Sequence, residues 1–103
     1  MSKIETDKLN DVILGSLRSI PENRDYGSIN LCIVMEEFGE AIQMISKYLR
    51  GKDVKRSLTE ELADAYLGIE YTKVICGISD DEFADAVNDK IYRQKRRNEY
   101  GWE

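Results

Sequence analysis

The 103-residue sequence contains no histidine. That absence excludes histidine-based zinc sites, Ser-His and Cys-His nucleophile pairs, and histidine general bases. It holds one proline, and its seven glycines are scattered. Nothing therefore interrupts long helices except a few short breaks. The two cysteines, Cys32 and Cys76, are too few for a disulfide scaffold. No signal peptide is read at the N-terminus, so both are expected as free thiols in apolar surroundings of a cytoplasmic protein. No apolar run approaches the ~18 residues that cross a membrane. Positive charge is not in excess either: the net charge is −5. A general nucleic-acid binder is usually basic, so neither nucleic acid nor membrane is expected as a partner.

Hydrophobic residues at 42% suffice for one small core, so residues 1–103 read as a single domain. A core of this size makes self-association an expected route to further burial. Leu9, Val12, Ile13, Leu17 and Ile20 recur at helical spacing and predict a first helix over residues 4–19. The stretch "PENRDYG", residues 21–27, reads as a break, with Ser28 as N-cap of a second helix running to Leu49. "RGKD", residues 50–53, is the second break. A third helix begins near Val54 or Ser57 and runs to Cys76. Gly77 suits its end, and Ser79 with Glu82 forms a capping box for a fourth helix ending near Asn98. No alternating strand pattern competes. The fold class is all-α: a four-helix, bundle-like arrangement whose two central helices run antiparallel.

The second helix carries "MEEFGEAIQM", residues 35–44, with three glutamates in an apolar context. Projected at about 100° per residue, Val34, Phe38, Ile42, Ile45 and Leu49 form one arc, and Ile29, Ile33 and Met44 another. A helix so covered is expected to be buried on more than one side. Glu37 falls between Met44 and Tyr48, Glu40 beside Ile33, and Glu36 at the apolar edge. The third helix repeats the theme in "EELADAYLGIEY". Its stripe is Leu58, Leu62, Ala65, Ile69 and Cys76. Glu61 borders the stripe, and Asp64 lies between Tyr71 and Ile75. Residues three apart share a face, so Glu37 pairs with Glu40 and Glu61 with Asp64.

A short connection makes the two helices antiparallel neighbours. Twenty residues separate Glu40 from Glu61, enough to finish one helix, turn and return level. An E-x-x-E taken alone is usually a solvated face. Two such pairs facing each other on apolar-flanked helices repel strongly unless a cation lies between them. All-oxygen ligation suits Mg²⁺, with Mn²⁺ possible. Without histidine, a ferritin-like di-iron site lacks its usual ligands.

Glu36-Glu37-x-x-Glu40, a 20-residue gap, and Glu61-x-x-Asp64 resemble the E-E-x-x-E…E-x-x-D signature of MazG-type nucleoside triphosphate pyrophosphohydrolases. These belong to the all-α NTP pyrophosphatase superfamily, and the resemblance covers residues 28–98. It implies a homodimer or homotetramer built around Mg²⁺-dependent sites. It implies cleavage of an NTP or dNTP between the α and β phosphates, giving a monophosphate and pyrophosphate, as in clearing damaged nucleotides. Carried over by motif, Glu37, Glu40, Glu61 and Asp64 are metal ligands. Glu36 is a ligand, a group supporting the ligands, or the base that orients water; Glu36 and Glu37 are thus the catalytic candidates. The family also carries a Lys and an Arg on its last helix. "NDKIYRQKRRN" resembles that region and nominates Lys90 with Arg93 or Arg97 for triphosphate contacts. Five of the 15 basic residues crowd residues 90–97, so the register stays open; a basic helix end complementing the macrodipole is the simpler role. Which base is accepted is not readable, though Tyr26, Tyr48, Tyr66, Tyr71 and Trp102 can stack on one. Phosphoribosyl-ATP hydrolysis and a non-catalytic, cation-binding helical module are the alternatives.

Overall fold

The computed structural model describes residues 2–18 and 26–101. Among these, four helices form and no strand: α1 (Thr6–Arg18), α2 (Tyr26–Leu49), α3 (Lys55–Cys76) and α4 (Asp80–Tyr100). The chain is all-α, as the unbroken 3.6-residue periodicity requires. Ile20, residues 21–25 of the first break and Trp102 lie outside the described residues, as do the side chains of Leu17, Tyr26 and Ser28.

The α2–α3 pair is the extensively packed unit. Its register is antiparallel. Gly68 faces Val34 and Phe38, while Asp64 and Glu61 meet Glu37 and Glu40 one turn and two turns further on. Position numbers rise along one helix as they fall along the other. Gly68 permits this approach: a Cβ there would stand 3.2 Å from Val34 Cγ1 and 3.3 Å from Phe38 Cε1. The turn between the helices uses Gly51 at φ 81°, a left-handed conformation open to glycine without steric penalty. Val34 and Ala41 of α2 are buried, as is Ile13 of α1. α1 is further tied to α3 by a 2.7 Å hydrogen bond between Ser16 Oγ and Tyr71 Oη.

The α3–α4 corner is built locally. Gly77 takes φ 69°, and its N–H with that of Ile78 returns to the last carbonyls of α3. Ser79 and Glu82 then form the expected capping box, Ser79 Oγ accepting from Glu82 N at 3.1 Å and Glu82 Oε1 accepting from Ser79 N at 3.1 Å. Lys73, almost fully buried, locks the corner. Its Nζ donates to Asp80 Oδ1 at 2.8 Å and Glu70 Oε2 at 3.1 Å, and lies 4.7 Å from the centre of the Phe83 ring.

Several sequence expectations are corrected. Ser28 lies inside α2 rather than capping it, because Tyr26 and Gly27 already carry helical backbone. α4 runs two residues past Asn98, to Tyr100, where Gly101 at φ 89° ends it. Cys32 and Cys76 are free, and both are exposed rather than buried. α2 is not buried on more than one side within the chain. Met35, Ile42, Ile45 and Leu49 are exposed, because among the described residues no other helix packs extensively on that flank. α4 likewise buries no residue.

Candidate metal centre

The side of α2 that meets α3 carries Glu37, and the matching side of α3 carries Glu61 and Asp64. One carboxylate oxygen from each of the three lies within 4.8 Å of the other two. Glu40, on the next turn of α2, adjoins Glu61. The structure thus draws together residues from both acidic pairs, which the chain separates by a full helix-turn-helix. Glu36 is exposed on the neighbouring flank of α2.

The electrostatics of the cluster are unfavourable without a cation. Glu37 and Glu61 are half-buried, and Oε2 of each is inaccessible to water with no hydrogen-bond partner. A buried acceptor left unpaired costs about 1–3 kcal/mol. Burial pushes the Glu37 carboxyl above the ordinary carboxylate range, and Asp64 and Glu40 push it further. Burial likewise raises Glu61, reinforced by contact with Glu40 and the charges of Asp64 and Glu37. Both shifts express the same fact: negative charge is concentrated where water cannot fully solvate it.

The donor set fits a hard divalent ion. Oxygens on one Mg²⁺, each about 2.1 Å from it, lie at most about 4.2 Å apart, and Ca²⁺ or Mn²⁺ permits slightly more. Small side-chain rotations close three oxygens from within 4.8 Å onto that span. The exposed Asp64 leaves one side of the cluster accessible from solvent.

The basic candidates stand elsewhere. Lys90, Arg93 and Arg97 all lie on α4, whose side chains pack little against the hairpin. Arg93 and Arg97 line a shallow cleft with Tyr92, Arg96 and Tyr100. Lys90 borders a separate apolar groove with Phe83, Val87 and Ile91. Helical spacing nevertheless places the three on one 60°-wide sector, roughly. Of the aromatic candidates, Tyr48 is exposed, whereas Tyr66 and Tyr71 are half-buried, Tyr71 being engaged by Ser16.

Lys73 has no counterpart among the sequence candidates. Burial and the Asp80 contact single it out, and both arise only once the α3–α4 corner closes. The one sequence signal is Glu70 three residues before it, a common surface pattern. Hydrogen bonding to Asp80 raises the Lys73 pKa despite burial, so it is a cation at neutral pH.

No family model, curated protein or solved structure matches this chain.

Proposed function

We propose that the chain is a MazG-type hydrolase that cleaves nucleoside triphosphates, NTP or dNTP, to nucleoside monophosphate and pyrophosphate, clearing unwanted nucleotides from the cytoplasmic pool. One observation carries the reading: carboxylates of Glu37, Glu61 and Asp64 converge within 4.8 Å while Glu37 Oε2 and Glu61 Oε2 are buried and unpaired. Such an arrangement is costly as it stands and becomes favourable around Mg²⁺, or Mn²⁺ in its place.

In this reading Glu37, Glu61 and Asp64 hold the ion, with Glu40 supporting or joining them from the next turn. A divalent cation there supplies neutralisation of phosphate charge and acidification of water. The chain's own groups do the rest. Glu36, exposed beside the cluster, accepts a proton from the attacking water and orients it. The water oxygen bonds to the α-phosphorus, the bond to the α–β bridging oxygen breaks, and pyrophosphate departs with that oxygen. Lys90, Arg93 and Arg97 oppose the remaining triphosphate charge, which carboxylates alone would repel. These side chains stand on α4 apart from the cluster, so their part in this reading is supported by the motif rather than by proximity.

The test is product analysis. Wild-type protein is incubated with a panel of NTPs, dNTPs and phosphoribosyl-ATP in Mg²⁺, and pyrophosphate and monophosphate are identified. Glu40→Gln and Asp64→Asn should lower turnover by roughly 100-fold or more, the scale of losing one charge-stabilising group. Wild-type turnover in both variants would remove the site assignment. Cation binding by calorimetry with no pyrophosphate from any nucleotide would mark a non-catalytic cation-binding module instead.

A further inference from the structure

α4 segregates its charge along its length. Residues 80–89 hold five acidic side chains and no basic one, whereas residues 90–101 hold five basic side chains and one acidic one, Glu99. The net charge of −5 is therefore an average over opposite regions, and a local cationic surface survives inside an acidic chain. The helix macrodipole explains little of it, because that field acts within the last turn and only Arg97 lies there. Ion pairing does not balance it either: among the described residues Lys90, Arg93, Lys95 and Arg96 form no ion pair. Arg93 stays unpaired although Asp89 precedes it by four residues, a spacing that favours pairing.

Two aromatic rings are set into this surface. Tyr92, Arg96 and Tyr100 follow one another at four-residue steps and form one row along the helix. Tyr92 and Tyr100 are 65% and 76% exposed. The row lines a cleft of about 440 Å³ together with Arg93, Arg97 and Gly101, the residue on which the helix ends. On its other flank the same three side chains line a second cleft with Lys95. Cations thus border the rings on both sides. Asp89 closes the N-terminal end of the first cleft and Glu99 borders the second, which confines the cationic row to the last turns of α4. The centre of the row lies roughly 90° round the helix from that of Lys90, Arg93 and Arg97. The hydrolytic reading therefore leaves Tyr92, Lys95, Arg96 and Tyr100 without a task. Helix propensity does not ask for tyrosine at two exposed positions, since Lys, Glu and Gln form helix better.

We propose that this surface binds single-stranded nucleic acid, DNA or RNA, with backbone phosphates on Arg93, Lys95 and Arg96 and bases stacked on Tyr92 and Tyr100. Cations flanking exposed rings match what an unpaired strand offers: phosphates to neutralise and bases with free π-faces. Arg96, between the rings, can meet a phosphate or lie flat on a base. A duplex fits less well. Its bases stack on one another about 3.4 Å apart and are closed to the rings, which stand about 12 Å apart along the helix axis. An anionic membrane also fits less well. A flat surface laid along α4 meets the five carboxylates of residues 80–89 too, and the row holds no aliphatic anchor, Ile91 lying roughly 140° round the helix. The inference goes beyond the catalytic proposal and stands if that proposal fails. It uses neither the acidic cluster nor a metal, and of its residues only Arg93 has a part in that proposal.

Fluorescence anisotropy of labelled oligothymidylate and oligouridylate, each about 12 nucleotides long, tests it in chelator, where nucleotide hydrolysis does not enter. The whole chain should bind, and the tighter of the two strands names the source; either upholds the inference. Raising salt from about 50 to about 200 mM should weaken binding roughly 20- to 50-fold, the loss expected for three or four neutralised phosphates. Arg96→Ala should weaken binding and reduce the salt slope by about 0.7. Tyr92→Ala and Tyr100→Ala should each weaken it about ten-fold and leave the slope unchanged. All three positions are exposed, so circular dichroism should show unaltered helix content. Arg56→Ala, which removes an exposed cation at the start of α3, should bind as wild-type protein does. The inference is overturned by no binding in low salt at protein concentrations up to about 100 μM. It is equally overturned by full affinity in Tyr92→Ala and Tyr100→Ala, by inorganic polyphosphate competing as well as the strand, or by a duplex of the same length bound as tightly. Co-sedimentation with anionic vesicles in the absence of strand binding would overturn it in favour of a membrane.

Discussion

Replacing Glu37 with glutamine keeps the size of the side chain and removes its charge. In cation-free protein this should stabilise the fold. Oxygens of Glu61 and Asp64 lie within 4.8 Å of a Glu37 oxygen, and Glu37 Oε2 has no partner. At that distance two like charges repel by about 3 kcal/mol at an effective dielectric of about 20, and by about 1 kcal/mol in bulk water. Asp64 is exposed, which moves its share toward the lower figure. The net gain is therefore about 1–3 kcal/mol, or a rise in Tm on the order of 4–20 °C for a domain this small. The assay is thermal unfolding by circular dichroism in chelator, at fixed protein concentration. The effect of pH has a definite sign. Burial, then Asp64 and Glu40, raise the folded pKa of Glu37. A carboxyl so raised binds its proton more tightly in the folded state. Wild-type protein thus recovers stability as pH falls from neutral through that raised value, fully so below the ordinary carboxylate range. The glutamine variant has nothing to recover at this position, so the gap should close on acidification. Saturating Mg²⁺ should reverse the order, stabilising wild-type protein more than the variant. A lower Tm for Glu37→Gln in chelator, or a gap that persists in acid, would refute the reasoning and make the carboxylate a structural hydrogen-bond partner.

Two further substitutions probe the frame that holds the site. Gly68→Leu drives side-chain atoms into Val34 and Phe38, already 3.2–3.3 Å from a Cβ at that position, and should cost about 1–3 kcal/mol by urea denaturation; an unchanged midpoint would contradict the α2–α3 register. Lys73→Met leaves Glu70 and Asp80 adjacent without their cation, and should cost about 1–2 kcal/mol, because Asp80 is largely exposed and screened. Amide exchange at the start of α4 should accelerate with it. Since the folded pKa of Lys73 is raised, its contribution is present below the ordinary lysine value and is lost as pH rises through the raised one, so wild-type stability should show no Lys73-dependent step near neutral pH.

The amino-acid sequence alone determined the elements and much of the site's membership. Helical periodicity, Gly77 and the Ser79–Glu82 box act within a few residues, so α3 and α4 begin and end close to where local chemistry directs. The three-residue spacing within each acidic pair follows from helix geometry in the same way, and a short connection forces antiparallel return. Residues such as Gly68 and Lys73 were a different matter, because their roles depend on what stands opposite them. Tertiary structure alone decided that Glu37, Glu61 and Asp64 form the tight trio while Glu40 stands one step behind, that Lys73 is buried at a corner, and that α4 carries Lys90, Arg93 and Arg97 away from the hairpin. It also decided that the apolar flank of α2 stays open within one chain. The physical reason is one of range. Periodicity states which side chains share a face, but the rotation of one helix against another, set by close contacts such as Gly68 with Phe38, states which face is covered.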